Sequence, residues 1–332
     1  MGLFKKRKSP ASDDADGDQG RLFLLDTIQE YLHREQARGT DGIALLGYTA
    51  NGHQVYTFKP SKAPALFCWT AKAREESCES FGWKDPDGTV IDHYDLQPES
   101  REAVIIDPDK KDIVGGFRYE PFNHAARTKD GELDLESATL FTFSERFLKD
   151  YAPHTLEVTQ PFINPGYRGA PEKAVAAKKD IWAGLSGVAG SEKDASYLLG
   201  SFLLHPDEQP HARQLLYGFL QAYFAPNGES GLLVPKRTRP WEKNGLDTIL
   251  REDLDVDANR ELVEKEVQER YGEKIPPFFR SYTQLADGMK AFGPALNDHY
   301  GDTEGAPELE ETLLLIPVRG MHMKVHDQFY GI

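Results

Sequence analysis

Two stretches concentrate groups that can move protons or hold charge. The first is Ile91-Asp92-His93-Tyr94-Asp95, with two carboxylates three residues apart. The second runs from Leu156 to Pro171. Its first half is an apolar run that contains Glu157 and Gln160 and ends at Ile163. A carboxylate on a part-buried strand loses hydration, and its pKa rises toward the range in which it accepts a proton near neutral pH. Glu157 is therefore a candidate base; the alternative is that it pairs with Arg118 or Arg74 in a structural ion network. Backbone N–H groups just past Glu157 are candidate donors to an oxyanion. The second half, Asn164-Pro165-Gly166-Tyr167-Arg168-Gly169-Ala170-Pro171, is a turn leading into a helix start. Helix starts attract anions through free N–H groups and the helix dipole. Arg168 suits a phosphate and Gly169 permits close backbone approach.

The elements that must position these groups follow from periodicity. Leu22, Leu25, Ile28 and Leu32 have helical spacing within residues 21–36. Ile43 to Tyr48 and His53 to Phe58 flank Asn51-Gly52, a hairpin signal. Pro64 to Cys78 favours helix. Ala103 to Ile106 and Ile113 to Arg118 form a second hairpin around Asp107-Pro108. Ser144 N-caps a short helix reaching Asp150. After the strand through Glu157 come a helix from Pro171 to about Gly190, a strand from Tyr197 to Leu204 and a helix from Pro210 to Phe224. Residues 226–244 read as loop, and Asp257 to Tyr271 as a charged helix. Pro276-Pro277 opens a segment predicted helical through about Phe292, and Leu313 to Val318 reads as a late strand. The order implies an α/β (α+β) fold, a mixed sheet flanked by helices with an antiparallel edge.

Three regions result: a tail at 1–20, a core at 21–225, and a C-terminal extension at 226–332, largely helical with a late strand packing on the core. Thirty-nine basic and 54 acidic residues give a net charge of −15, which argues against nucleic acid as a partner. Two cysteines, Cys68 and Cys78, make no disulfide framework and fit no zinc spacing, so a reducing cytoplasm is expected. No apolar run is long enough to span a membrane. Residues 1–8, with Leu3, Phe4 and four cations, are either a free tail or a weak foot on anionic lipid. Asp255, Asp257, Asn259 and Glu266 imitate a calcium loop, but Arg260 stands where its glycine is required; a capped helix is expected instead. His322 and His326 lack an acidic partner at metalloprotease spacing, and no metal site is expected.

Several short motifs in order give the stretch from about Pro64 to Leu204 a family resemblance. They are Arg74 followed by Phe81 and Trp83; Asp92 and Asp95; Ile113-Val114-Gly115-Gly116-Phe117-Arg118; Glu157; and Phe162-Ile163-Asn164-Pro165-Gly166-Tyr167-Arg168. The Trp182 region and Tyr197-Leu198-Leu199-Gly200-Ser201 follow, and Ile275 to Tyr282 adds a weaker match. The set resembles the GNAT-related N-acyltransferases of the hemolysin-labelled group, which includes ornithine- and glycine-lipid synthases, and is similar to the acyl-homoserine-lactone synthases. The chain departs from that pattern at Gln160, where the family carries Arg.

The resemblance implies a GNAT-like core and transfer of a fatty acyl group from acyl carrier protein or acyl-CoA to the amine of an amino acid or related head group. The product is an N-acyl amino-acid lipid. The donor is a substrate, and no permanently bound cofactor is implied. Catalytic roles fall on Glu157, Arg74, Asp92, Asp95 and Arg118, with Arg118 holding the acceptor carboxylate. Donor binding falls on Tyr167, Arg168, Gly169 and Phe162, and the acyl or acceptor pocket on Phe81, Trp83, Gln160 and Trp182. Arg168, Lys173, Lys178 and Lys179 offer either a docking patch for acidic carrier protein or an ordinary solvated face. The implied location is cytoplasmic, with peripheral contact at the inner membrane face. Two other readings stay open: an acetyl-CoA-dependent N-acetyltransferase of small molecules, and a non-catalytic relative that binds lipid or a partner.

Overall fold

The computed structural model describes residues 28, 30–32, 34–35, 42–80, 90–204, 209–239, 245–275, 279–297, 309–321 and 329–331. A nine-stranded sheet has the order β11-β1-β2-β3-β4-β6-β7-β10-β9. Its strands are β1 (Ile43–Thr49), β2 (Gln54–Phe58), β3 (Arg101–Asp107), β4 (Asp112–Pro121), β6 (Thr155–Ile163), β7 (Tyr197–Leu204), β9 (Lys290–Asn297), β10 (Leu309–Pro317) and β11 (Phe329–Gly331). Every neighbouring pair is antiparallel except β6 and β7. The longer helices are α1 (Pro64–Glu79), α4 (Pro171–Ser191), α5 (Pro210–Phe224) and α7 (Val256–Tyr271). Short ones are α2 (Glu136–Leu140), α3 (Glu145–Asp150), α6 (Leu246–Ile249) and α8 (Phe279–Thr283). The mixed sheet flanked by helices is the expected class.

Local chemistry accounts for most boundaries. Pro64 and Pro171 sit in the first turns of α1 and α4, where a missing N–H costs nothing. The Ser144 hydroxyl accepts the Phe147 N–H (3.1 Å), as an N-cap should. Asp255 caps α7 through the Ala258 N–H (2.8 Å), so the calcium-like residues belong to a capped helix. Ile28 and Leu32 are buried on a short helical stretch, while Leu22 and Leu25 lie outside the described residues.

Three expectations need correction. Among its described residues, the segment expected to stay helical through Phe292 forms only α8, after which Lys290–Asn297 is β9. Pairing along β10 decides this: cross-strand partners override the helical composition of Met289 to Phe292. The loop expected at 226–244 contains β8 (Leu233–Pro235), which pairs with β5 (Phe141–Phe143). The late strand begins earlier than Leu313, at Leu309.

One sheet face carries the largest apolar cluster. Ile105, Val114, Phe117, Leu156, Leu198 and Leu314 meet Ile181 and Val188 of α4, Leu215 and Phe219 of α5 and Val263 of α7. The other face carries two separate apolar clusters. One packs Tyr56, Val104, Ile106 and Phe162 against Leu66 and Phe67 of α1. The other packs Leu199, Phe292, Leu313 and Leu315 against Phe122, Phe141 and Phe147. Cross-strand register places Glu102, Arg118, Thr159, Glu120 and Glu157 in the strip between these clusters.

Candidate active site

Three strands, two helices and one turn build the strip. Glu102 of β3 is the register partner of Arg118, Arg118 of Thr159, and Glu120 of Glu157. Period-two alternation puts all five on one face. Arg74 reaches them from α1, fully buried, with Nη2 2.9 Å from Asp95 Oδ2 and Nη1 3.4 Å from Glu102 Oε1. Arg118 Nη1 donates to Asp92 Oδ1 (2.6 Å) and Asp95 Oδ1 (3.0 Å), Nη2 to Glu136 Oε2 (2.5 Å), and Nε to Thr159 Oγ1 (2.9 Å). Asp95 thus bridges both arginines. The Asp92-to-Asp95 turn is locked by reciprocal bonds, each backbone N–H donating to the other's carboxylate at 3.0 Å. Burial alone would lower the Arg118 pKa, but Glu136, Asp92 and Asp95 outweigh it and raise it.

Glu157 is not paired with either arginine by a hydrogen bond among the described residues. Its Oε1 accepts the Ser137 N–H at 2.9 Å, in the first turn of α2. Burial pushes its pKa up to about 7, with the Glu136 charge adding to the rise. Glu120 is pushed to about 7 as well, by burial and then by the Glu157 charge. Burial likewise raises Glu102 to about 7 and lifts Glu136 above its ordinary value. Three carboxyls thus reach neutral range on one face.

The main chain of β6 breaks regular pairing beside this strip. Gly116 faces Phe162, yet Arg118 faces Thr159, so β6 carries an extra residue between these pairs. Gln160 takes up the bulge at φ +53°, a left-handed conformation that costs a non-glycine residue about 1 kcal/mol. Gly115 and Gly116 allow the close approach: a Cβ would sit 2.4 Å from the Phe162 carbonyl oxygen at one and 2.5 Å from that of Ala103 at the other. Next to the bulge, β6 and β7 pair only from Thr155 to Val158 with Tyr197 to Gly200, and then part. On the far face a narrow cleft opens at this split, lined by Phe117, Val158, Pro161, Trp182, Gly200 and Tyr282.

The structure places the sequence-derived residues unevenly. Arg74, Asp92, Asp95, Arg118 and Glu157 converge. Trp182 lines the cleft and Gln160 forms the bulge beside it. Phe162 lies in the α1-side core, because the extra residue turns its ring onto Gly116. The Tyr167 hydroxyl donates to Asp107 Oδ2 (3.0 Å). Arg168 turns back toward the end of α1, its Nη2 donating to Ser80 Oγ (2.5 Å) and the Ser77 carbonyl (3.3 Å). Gly169 leaves open space at the start of α4. Phe81, Trp83, His322 and His326 lie outside the described residues. Sequence reasoning missed Glu102, Glu120 and Glu136. Period-two spacing from Arg118 was a usable signal for Glu120; Glu136 had none.

The mixed sheet thus splits between two parallel central strands, with a buried carboxyl of raised pKa beside the split, and the chain is an acyltransferase. It is 27% identical over 280 residues to a glycine N(alpha)-acyltransferase of Phocaeicola vulgatus, covering 82% of each chain. It is 26% identical over 273 residues to a glycine N(alpha)-acyltransferase of Bacteroides thetaiotaomicron, covering 81% of this chain and 78% of the relative. No family model matches the chain. Among solved structures it is similar to the CoA-dependent acyl-homoserine lactone synthase BjaI (TM-score 0.37, 10% identity, 83% of this chain and 87% of that one). A second is the AHL synthase LasI (TM-score 0.35, 12% identity, 80% and 91%).

Proposed function

We propose that the protein moves a fatty acyl group from a thioester, on acyl carrier protein or CoA, to the amine of glycine or a related amino acid, with Glu157 as general base. The observation that carries this is a buried carboxyl near neutral pKa, beside the point where β6 and β7 part. An extended donor arm fits between the parted strands, where it gains main-chain hydrogen bonds as an added strand does. The acyl chain enters the cleft beside Trp182 and Tyr282. The amine approaches from the Glu157 face, loses a proton to the carboxylate and attacks the carbonyl carbon. The C–N bond forms, the C–S bond breaks, and the leaving sulfur departs as a thiol after taking a proton. Main-chain N–H groups at the bulge stabilise the oxyanion.

Arg118 is spoken for by three carboxylates, so it orients Asp92, Asp95 and Glu136 in this reading and does not itself hold the acceptor's carboxylate. On α4, Lys173 and Lys179 are exposed and Lys178 is half-buried, which lowers its pKa; they supply the docking patch for carrier protein. Residues 1–8, the proposed membrane foot, lie outside the described residues. A short-chain acetyltransferase is the second reading, favoured by the edge-to-face contact of Trp182 and Tyr282 (5.4 Å), which narrows the cleft.

The test is to incubate purified protein with C2 to C16 thioesters of CoA and of carrier protein, with glycine, serine and ornithine as acceptors. Mass spectrometry then detects any amide formed. Long-chain N-acyl glycine supports the reading; acetylated product alone supports the second; no amide from any pairing sinks both.

A further inference from the structure

Glu120 has no place in the catalysis so far, yet its position is unusual. It is 4% exposed, and its Oε1 has no hydrogen-bond partner among the described residues. It stands opposite Glu157, itself 5% exposed, at register positions whose Cα atoms are roughly 5 Å apart in such ladders. No arginine or lysine is hydrogen-bonded to either carboxyl among the described residues. The cation whose charge is felt at both, Arg118, is engaged by Asp92, Asp95, Glu136 and Thr159. The other charges felt at Glu120 are Glu99 and Asp134, and at Glu157 Glu136, all acidic. Two facing buried carboxyls cannot both ionise cheaply unless a cation arrives.

Resting on the N-acyltransferase reading, we infer that Glu120 and Glu157 together form the seat of the acceptor's ammonium group, and that Glu120 is a second catalytic residue. A primary ammonium offers three N–H donors to the pair and supplies the charge the strip lacks. The stoichiometry also calls for two bases. An ammonium nitrogen loses two protons on becoming an amide. Glu157 takes the first, freeing the lone pair that attacks the thioester carbon. Glu120 takes the second from the zwitterionic adduct as the C–S bond breaks. One of these protons passes to the departing thiolate and the other to solvent, so each turnover releases one thiol and one proton. Burial, with the Glu157 charge adding at Glu120 and the Glu136 charge adding at Glu157, keeps both carboxyls near the pH at which they work.

Isothermal titration calorimetry of the full chain with glycine and with ethylamine, at pH 6.5 in buffers of different ionisation enthalpy, counts protons released on binding. The wild type releases about one proton per site with both probes. Glu120→Gln releases less than half of that, raises KM for the amine at least tenfold, leaves KM for the donor within twofold, and moves the pH limb of kcat/KM to lower pH. Glu120→Asp recovers part of the proton release, which a packing defect would not. Proton release unchanged in Glu120→Gln, or binding of neither amine by the wild type, overturns the inference. Proton release as expected but no amide product would instead overturn the acyl-transfer reading and leave the ammonium seat standing.

Discussion

Glu157→Gln separates catalysis from stability, because the structure gives the two effects opposite signs. In the folded protein Glu157 titrates near 7, against 4.5 when unfolded, chiefly through burial. Between these pH values the folded chain holds a proton that the unfolded chain has lost. Stability therefore falls as pH rises from about 4.5 to 7, and the loss is complete above 7. A rise from 4.5 to about 7 corresponds to about 3 kcal/mol at 1.36 kcal/mol per unit. Gln keeps an oxygen for the Ser137 N–H and carries no charge, so it escapes this loss. The variant should be up to about 3 kcal/mol more stable than wild type at pH 8 and close to equal at pH 4.5. Loss of a general base should at the same time lower kcat by roughly 10² to 10⁴. Urea unfolding at both pH values and amide formation by mass spectrometry provide the readouts. A variant less stable than wild type at pH 8 refutes the burial argument. Amide formation within threefold of wild type refutes the role as base.

Glu311 on β10, also raised to about 7 by burial, is a control: Glu311→Gln should gain stability at pH 8, seen as a higher urea midpoint, without loss of amide formation. Arg118→Met leaves Asp92 and Glu136 without their cation and Asp95 with Arg74 alone, and should cost about 3–5 kcal/mol in urea unfolding at pH 7. Gly116→Ala drives a Cβ against the Ala103 carbonyl oxygen and the Phe162 ring, and should cost about 1–3 kcal/mol by the same measure. Trp182→Ala opens the cleft at its narrow point; product mass spectra should shift toward longer acyl chains, and an unchanged chain profile would remove Trp182 from the pocket.

Much of this fold was readable because its signals are local. Asn51-Gly52 between alternating strands, Ser144 before its helix, and Pro171 at the start of α4 carry their geometry in a few residues. The second half of the sheet was less readable. Lys290 to Asn297 becomes strand through β10, a partner farther along the chain, and nothing near Phe292 announces it. The candidate site shows the same division. Arg74, Asp92, Asp95, Arg118 and Glu157 stand in recognisable motifs. Glu136 joins them from a five-residue helix that carries no motif. Arg168 was placed by its neighbours at a helix start, but its long side chain finds the end of α1, a contact 88 residues away in sequence.

The two outermost strands of the large sheet, β11 and β9, both come from the last 45 or so residues of the 332. During synthesis, β1 through β7 therefore leave the ribosome with neither border closed. The hairpin partner of β1 covers one side of it, but its other side stays an unpaired row of N–H and C=O groups until Phe329 to Gly331 arrive. At β7 the apolar Leu198, Leu199 and Phe202 wait in the same way for β10. Such edges recruit neighbouring chains. Pairing across almost the whole chain also slows folding relative to local contacts. The vulnerable interval lies between emergence of β7 and docking of the C-terminal strands, when crowded expression would favour aggregation over closure.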